Sequence, residues 1–175
     1  MAFTHRTQPI QMDALQLVAG TDPKNVKELM MYVTAQVLAH YKHLFENLSL
    51  QSVEEDFLQV FSSNVYFKDP FNAVHGLAQM QVIFRHMFST LHEPQFRILD
   101  LANSQNRGFL EWQFTFKLKA KAEQQLIKGV SKIEINEQGK VCSHIDYWDT
   151  GEYVYLKVPL LKSIIALINK RLSSS

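Results

Sequence analysis

The chain has 175 residues, 46% hydrophobic and 20% charged, which is the size and composition of one globular domain with a complete core. Its 18 Lys+Arg against 17 Asp+Glu leave a net charge of +1, so no global field recruits nucleic acid or an anionic membrane. The single cysteine, Cys142, excludes an internal disulfide, Met1 to Arg6 carry no apolar leader, and no run reaches the ~18 apolar residues of a membrane span, so the expected location is the cytoplasm.

Residues 1–23 read as an irregular N-terminal arm ending in the turn cluster Gly20-Thr21-Asp22-Pro23. Asp22 is placed to cap the next segment and Pro23 to occupy its first helical position. Met30, Val33, Val37, Tyr41, Leu44 and Leu48 then recur at spacings of three and four, one apolar face of a long helix on which Tyr41 is the only hydroxyl. Ser52-Val53-Glu54-Glu55 reads as a capping box opening a short second helix through Phe57, Leu58 and Phe61.

Asn64 to Phe67 is a strand of β-branched and aromatic residues, stopped by Pro70, which has no N–H for a ladder and holds Asp69 extended. Asp69, flanked by Phe67 and Phe71, therefore has two readings. It is a carboxylate beside aromatic surface, suited to act as a base, or it accepts N–H bonds in the turn after Pro70. A third helix follows His75-Gly76, with Leu77, Met80, Phe84, Met87 and Leu91 on one stripe, and Glu93-Pro94 is expected to end it.

From there the period becomes two. Phe96, Ile98 and Asp100 share a face, Asn106-Arg107-Gly108 makes a turn, and Leu110, Trp112, Phe114, Phe116 and Leu118 alternate along the next strand. Gln124 to Ile135 is a strand with Ile127, Gly129, Ser131, Ile133 and Ile135 on one face, and Asn136–Gly139 turns it into a last strand, expected from Lys140 to about Tyr155. In that strand Cys142, His144, Asp146 and Trp148 share one side, and Val141, Ser143, Ile145 and Tyr147 the other. Periodicity leaves open which side faces in. If it is the first, His144 and Asp146, about 6.5–7 Å apart along the strand, address one ligand together.

Pro159 opens a last helix with Leu160, Leu161, Ile164, Ile165, Leu167, Ile168 and Leu172 against Lys162, Lys170 and Arg171. It is expected to dock on the domain or across a dimer, with attachment to a membrane surface as the lesser alternative. Three helices followed by a four-stranded antiparallel meander predict an α+β fold: a cone-shaped curved sheet with helices packed over an internal pocket. The organisation expected is an arm over 1–23, one domain over 24–155, and a C-terminal helix and tail over 156–175.

The element order, the segment Phe67-Lys68-Asp69-Pro70-Phe71…His75-Gly76 and the segment Asn136–Lys140…Tyr147-Trp148 resemble the nuclear transport factor 2-like superfamily, in its ketosteroid isomerase and SnoaL-like polyketide cyclase branch. The resemblance spans roughly Leu29 to Gly151. It implies a cone-shaped α+β barrel with an inner pocket, commonly dimeric through the outer sheet face. Carried over residue by residue, it puts the isomerase base at Asp69 and the first-helix oxyanion tyrosine at Tyr41. The protonated aspartic acid of the oxyanion hole falls on Ser131, and two supporting tyrosines fall on Phe61 and Phe84. It also turns His144, Asp146 and Trp148 inward, with Trp112, Phe114 and Phe116. Losing an oxyanion donor costs about 2.7–4 kcal/mol of barrier, so steroid isomerisation itself is not expected.

The resulting expectations are Asp69, Tyr41, His144 and Asp146 as catalytic residues, and Trp112, Phe114, Trp148, Ser131, Phe61 and Phe84 as the ligand wall. The ligand would be a small apolar molecule, the chemistry a cofactor-free isomerisation, dehydration or cyclisation, and the assembly a homodimer. The alternative is a non-catalytic binding or interaction module of the same fold. No metal is expected: His40 and His43 lie three apart on a helix with nothing to complete a site. Cys142 beside His144 reads as an inert thiol, the six glycines form no phosphate loop, and neither nucleic acid nor a membrane is an expected partner.

Overall fold

The computed structural model describes residues 23–172, so the arm over 1–22, the proposed Asp22 cap and residues 173–175 lie outside the described residues. Helix α1, Pro23–Glu46, buries Thr34, Leu38, Tyr41, Leu44 and Phe45. Met30, expected on the same stripe, is 45% exposed, because the buried positions of the helix begin only at Thr34. The second helix starts earlier than expected. Ser49 is the N-cap of α2, Leu50–Glu55, and its hydroxyl accepts from the Ser52 N–H while Ser52 Oγ accepts from the Ser49 N–H. Ser52 thus closes the capping box from its third position rather than opening it. A single turn, α3 (Phe57–Val60), leads directly into strand β1, Phe61–Lys68, so Phe61 belongs to the sheet.

The expected meander is present as β3 (His92–Ser104), β4 (Arg107–Lys117), β5 (Gln125–Ile135) and β6 (Val141–Trp148). The sheet is larger than the meander. β1 adds to β6 in parallel and β2, Ala73–His75, hairpins back on β1, giving the order β2-β1-β6-β5-β4-β3 in a curved, unclosed sheet of six strands. A parallel partner cannot come from a tight turn, and the whole meander is the crossover that separates β1 from β6. Helix α4, Leu77–Thr90, packs Leu77, Met80 and Phe84 against the sheet. It stops at Thr90 without help from proline. Pro94 lies inside β3, which is tolerated because β3 is an edge strand.

Two irregularities change which side chains face in. The β3–β4 register slips between Ile98 and Asp100, so Leu101 rather than Asp100 comes opposite buried Leu110 and Asp100 turns out to solvent. The β5–β6 register slips beside Ile135, which puts Val141 in the core and leaves Cys142 half-buried with its thiol donating to the Glu134 carbonyl. Gly108 sits within β4, not in the turn, and the position takes glycine because a Cβ there would strike the Leu38 side chain of α1.

β6 ends at Trp148, short of the expected Tyr155. Asp149 accepts the Glu152 N–H and caps α5, Thr150–Tyr153, and a 3₁₀ turn over Tyr155–Lys157 leads to α6, Pro159–Leu172. α6 has no buried residue, so it does not dock on the domain as expected.

Candidate functional site

Antiparallel pairing of β4, β5 and β6 sets Leu110 opposite Ser131 and Ser131 opposite Asp146, with Trp112 across from Gly129 and Ile133 across from His144. The pleat then points Trp112, Ser131, His144 and Asp146 to the same side, the inner one. Gly129 makes this compact: the Trp112 indole lies where a Cβ at 129 would stand. Across the interior, α1 brings Tyr41 to the same place.

These side chains form one continuous chain of hydrogen bonds. Trp112 Nε1–H donates to Ser131 Oγ at 2.8 Å, and Ser131 Oγ–H donates to Asp146 Oδ1 at 2.5 Å. His144 Nε2 lies 2.8 Å from the same Oδ1, and His144 Nδ1 lies 3.0 Å from the Tyr41 hydroxyl. A carboxylate only accepts, so Nε2 carries a proton, and in the neutral ring Nδ1 takes the Tyr41 proton as acceptor. Every donor then has an acceptor. Tyr41, Ser131 and His144 are 1%, 3% and 1% exposed, and the Asp146 side chain is 15% exposed. Burial first, and then the charge of Asp146, hold the Tyr41 hydroxyl well above the ordinary tyrosine value, with the nearby Ser131 hydroxyl offsetting part of this. Tyr41 is therefore a neutral donor throughout the physiological range.

Around His144 the interior is filled with rings. Phe67 meets it edge-on at 5.0 Å between centroids, Phe61 stacks at 6.4 Å, and Phe45 lies at 5.6 Å. Phe84 packs edge-on against Phe45, Phe57 and Phe67, and Phe114 stacks on Phe96 at 4.3 Å. The expected roomy pocket is therefore closed down to a cavity of about 10 Å³ lined by Tyr41, Phe45, Phe96, Trp112, Ser131, His144, Asp146 and Ile98, room for one water at most. Phe61, Phe84 and Phe114 are core packing and do not line it. Sequence reasoning missed Phe45 and Phe96 as wall residues, although Phe45 stands one helical turn beyond Tyr41.

Larger space lies outside. Because β1 and β6 run parallel, their C-terminal ends meet, and Lys68, Asp69, Pro70, Ile145, Asp146, Tyr147 and Trp148 line an open groove of about 470 Å³. Trp148 meets Phe71 edge-on there at 5.4 Å. Asp69 does not reach Tyr41 or His144. Its Oδ1 accepts from the N–H groups of Phe71 (2.7 Å) and Asn72 (2.6 Å), and the Asn72 side-chain amide bonds both of its oxygens. This is the turn role that the sequence allowed for it. Asp146 is the residue common to the inner cavity and the groove. His40 is exposed and His43 shares a bond with Asn47, just past the end of its helix. Burial first, then the Glu134 charge, push the Cys142 thiol up, so it is a poor nucleophile.

Residues 41–144 match the model of the SnoaL-like domain. No curated protein matches the chain in sequence. Among solved structures, an NTF2-like protein of unknown function from Burkholderia pseudomallei K96243 superposes with a TM-score of 0.60 at 16% identity, covering 72% of this chain and 98% of that one. A protein assigned to the SnoaL-like polyketide cyclases from Jannaschia sp. CCS1 gives 0.58 at 9% identity, covering 70% and 90%. TerC, co-crystallised with polyporic acid, gives 0.58 at 12% identity, covering 69% and 95%. At these identities the likeness is one of fold.

Proposed function

The chain belongs to the SnoaL-like domain family, and on that premise we propose that it binds a small, largely apolar molecule in the groove at the ends of β1 and β6 and moves a proton on it without a cofactor. The observation that carries this reading is the hydrogen-bond chain that converges on Asp146, the residue shared by the buried network and the groove. A substrate does not fit a cavity of about 10 Å³, whereas the groove of about 470 Å³ has the size of a small-molecule site. Trp148 and Ile145 offer apolar wall, and the Asp69-Pro70 turn forms the lip. Asp146 acts as the base. The His144 Nε2–H bond holds the carboxylate in place, and Tyr41 fixes the His144 ring behind it; the proton taken from the substrate leaves Asp146 as the neutral acid until it is returned. Asp69, with its oxygens taken up by Phe71 and Asn72, shapes the groove. TerC, a neighbour of the same fold, was co-crystallised with polyporic acid, in keeping with a small-molecule site on this fold.

The test is deuterium uptake from D₂O at the α-carbon of a panel of cyclic enones, followed by NMR, with binding read from amide shifts of the groove. Exchange faster than in buffer, lost in Asp146→Asn and kept in Asp69→Asn, supports the reading. Exchange lost in Asp69→Asn and kept in Asp146→Asn returns the base to Asp69. Binding at the groove with no exchange in any form makes the protein a non-catalytic binding module.

The same reading includes a homodimer through the outer sheet face. Val130 and Tyr147 are register partners there, 40% and 57% exposed, and Phe109 and Leu126, 42% and 40% exposed, share that face with Glu111, Lys128 and Lys132 between them. A monomer in sedimentation at tens of micromolar overturns this part.

A further inference from the structure

Helix α6 is the element whose apolar side is left uncovered by the described fold. Leu160, Ile164, Leu167, Ile168 and Leu172 are 76%, 51%, 56%, 48% and 80% exposed. At 100° per residue these side chains fall on one side of the helix, with Lys162, Ser163, Asn169 and Lys170 on the other; Arg171 falls on the apolar side, in the last turn, where its long side chain can reach up to the headgroups. Tyr155 and Val158, also exposed, continue the apolar strip back toward the domain. No Asp or Glu follows Glu152, whereas Lys157, Lys162, Lys170 and Arg171 all do, so an almost neutral chain ends in a segment of one sign.

We propose that α6 is a membrane-surface anchor that lies flat in the headgroup layer of an anionic bilayer, its leucines and isoleucines in the acyl boundary and its lysines on the lipid phosphates. Both sides of the helix are then matched by one occupant. The 14 described residues of the helix rise about 21 Å, short of a hydrocarbon core of about 30 Å, and no described helix is long and apolar enough to span. A second copy of the helix matches only the apolar side. Packing two of these segments together brings like charges close with no acid in the segment to pair them. A lone helix of this length is marginal in water, so its order also calls for a partner surface. The attraction is local to this segment and separate from the groove chemistry, which the chain's net charge of +1 had hidden in the composition.

The experiment is flotation of the full chain with vesicles of phosphatidylcholine and phosphatidylglycerol, and with phosphatidylcholine alone. We expect binding to the anionic vesicles at about 0.1 M salt, release at about 0.5 M, and little binding to the neutral ones. Lys162→Gln/Lys170→Gln/Arg171→Gln should lower partitioning more than about tenfold, and Ile164→Glu/Ile168→Glu should abolish it. Because these positions are exposed, an unchanged thermal midpoint shows that the domain is intact. Wild-type protein that stays in solution, or binds neutral vesicles equally well, overturns the proposal. So does self-association in sedimentation that disappears in Ile164→Glu/Ile168→Glu without any vesicle binding, an outcome that assigns the helix to a second copy.

Discussion

His144 Nε2 lies 2.8 Å from Asp146 Oδ1, and this contact decides which ring nitrogen bears the proton. With Nε2 donating to a carboxylate, Nδ1 is left to accept from Tyr41 at 3.0 Å. The neutral imidazole of His144 should therefore be the Nε2–H tautomer. Nitrogen-15 shifts of the ring near neutral pH report it directly. In Asp146→Ala that selection should weaken, whereas an Nδ1–H form in the wild-type protein contradicts the hydrogen-bond directions given above.

Removing the acceptor should cost stability as well. Asp146→Ala leaves the Ser131 hydroxyl and His144 Nε2–H facing a vacancy, and a buried donor left unpaired costs about 1–3 kcal/mol. Asp146→Asn keeps an acceptor oxygen at the same place and should lose less. Urea unfolding of the pair measures the difference. Equal stability in Asp146→Ala and wild type would mean that water satisfies both donors through the groove.

Tyr41 should leave a mark at alkaline pH. Its hydroxyl is held above the ordinary value of 10.0 by burial, then by the Asp146 charge. Above the unfolded pKa the unfolded chain has released this proton while the folded chain still binds it, so the folded state binds more protons and stability falls as pH rises. The contribution is complete below about pH 10 and is lost progressively above it. In Tyr41→Phe this part of the alkaline slope should be missing, although the variant is less stable near neutrality for want of the bond to His144. Chemical unfolding between pH 8 and about pH 11 compares the two slopes.

Gly129 is the position where the smallest change should do damage. A Cβ there strikes the Trp112 indole and stands 2.9 Å from the Tyr147 carbonyl oxygen. Gly129→Ala should cost about 1–3 kcal/mol, as overpacking of a filled core does. It should also shift the fluorescence of Trp112 by moving its indole from Ser131. A neutral substitution with unchanged emission would mean that the indole has room to tilt.

Much of the site was legible in order but not in arrangement. Resemblance brought Tyr41, Ser131, His144 and Asp146 to one interior, and they do meet there. It also gave Asp69 the base's position, but the turn Asp69–Asn72 uses that carboxylate locally, through short bonds among four neighbouring residues. Ser131 counted in the sequence as a missing oxyanion donor. In the fold it is the bridge between Trp112 and Asp146, a role visible only when strand register sets three side chains edge to edge.

What the sequence determined by itself is local and periodic. Alternation along β4 and β5 dictates which side chains share a face, because a pleated strand offers only two sides. The Asn136–Gly139 turn returns the chain through a glycine at φ 69, a backbone angle that few other residues adopt. Only the tertiary structure decided the rest. Tyr41 and His144 are 103 residues apart, β1 finds β6 in parallel across the whole meander, and the bulges at Leu99 and Cys142 reset the facing of Asp100 and Val141. Whether the cone is hollow is likewise a matter of volume, since Phe45, Phe61, Phe67, Phe84 and Phe96 come from four elements, α1, β1, α4 and β3, and fill the interior only when all of them arrive together.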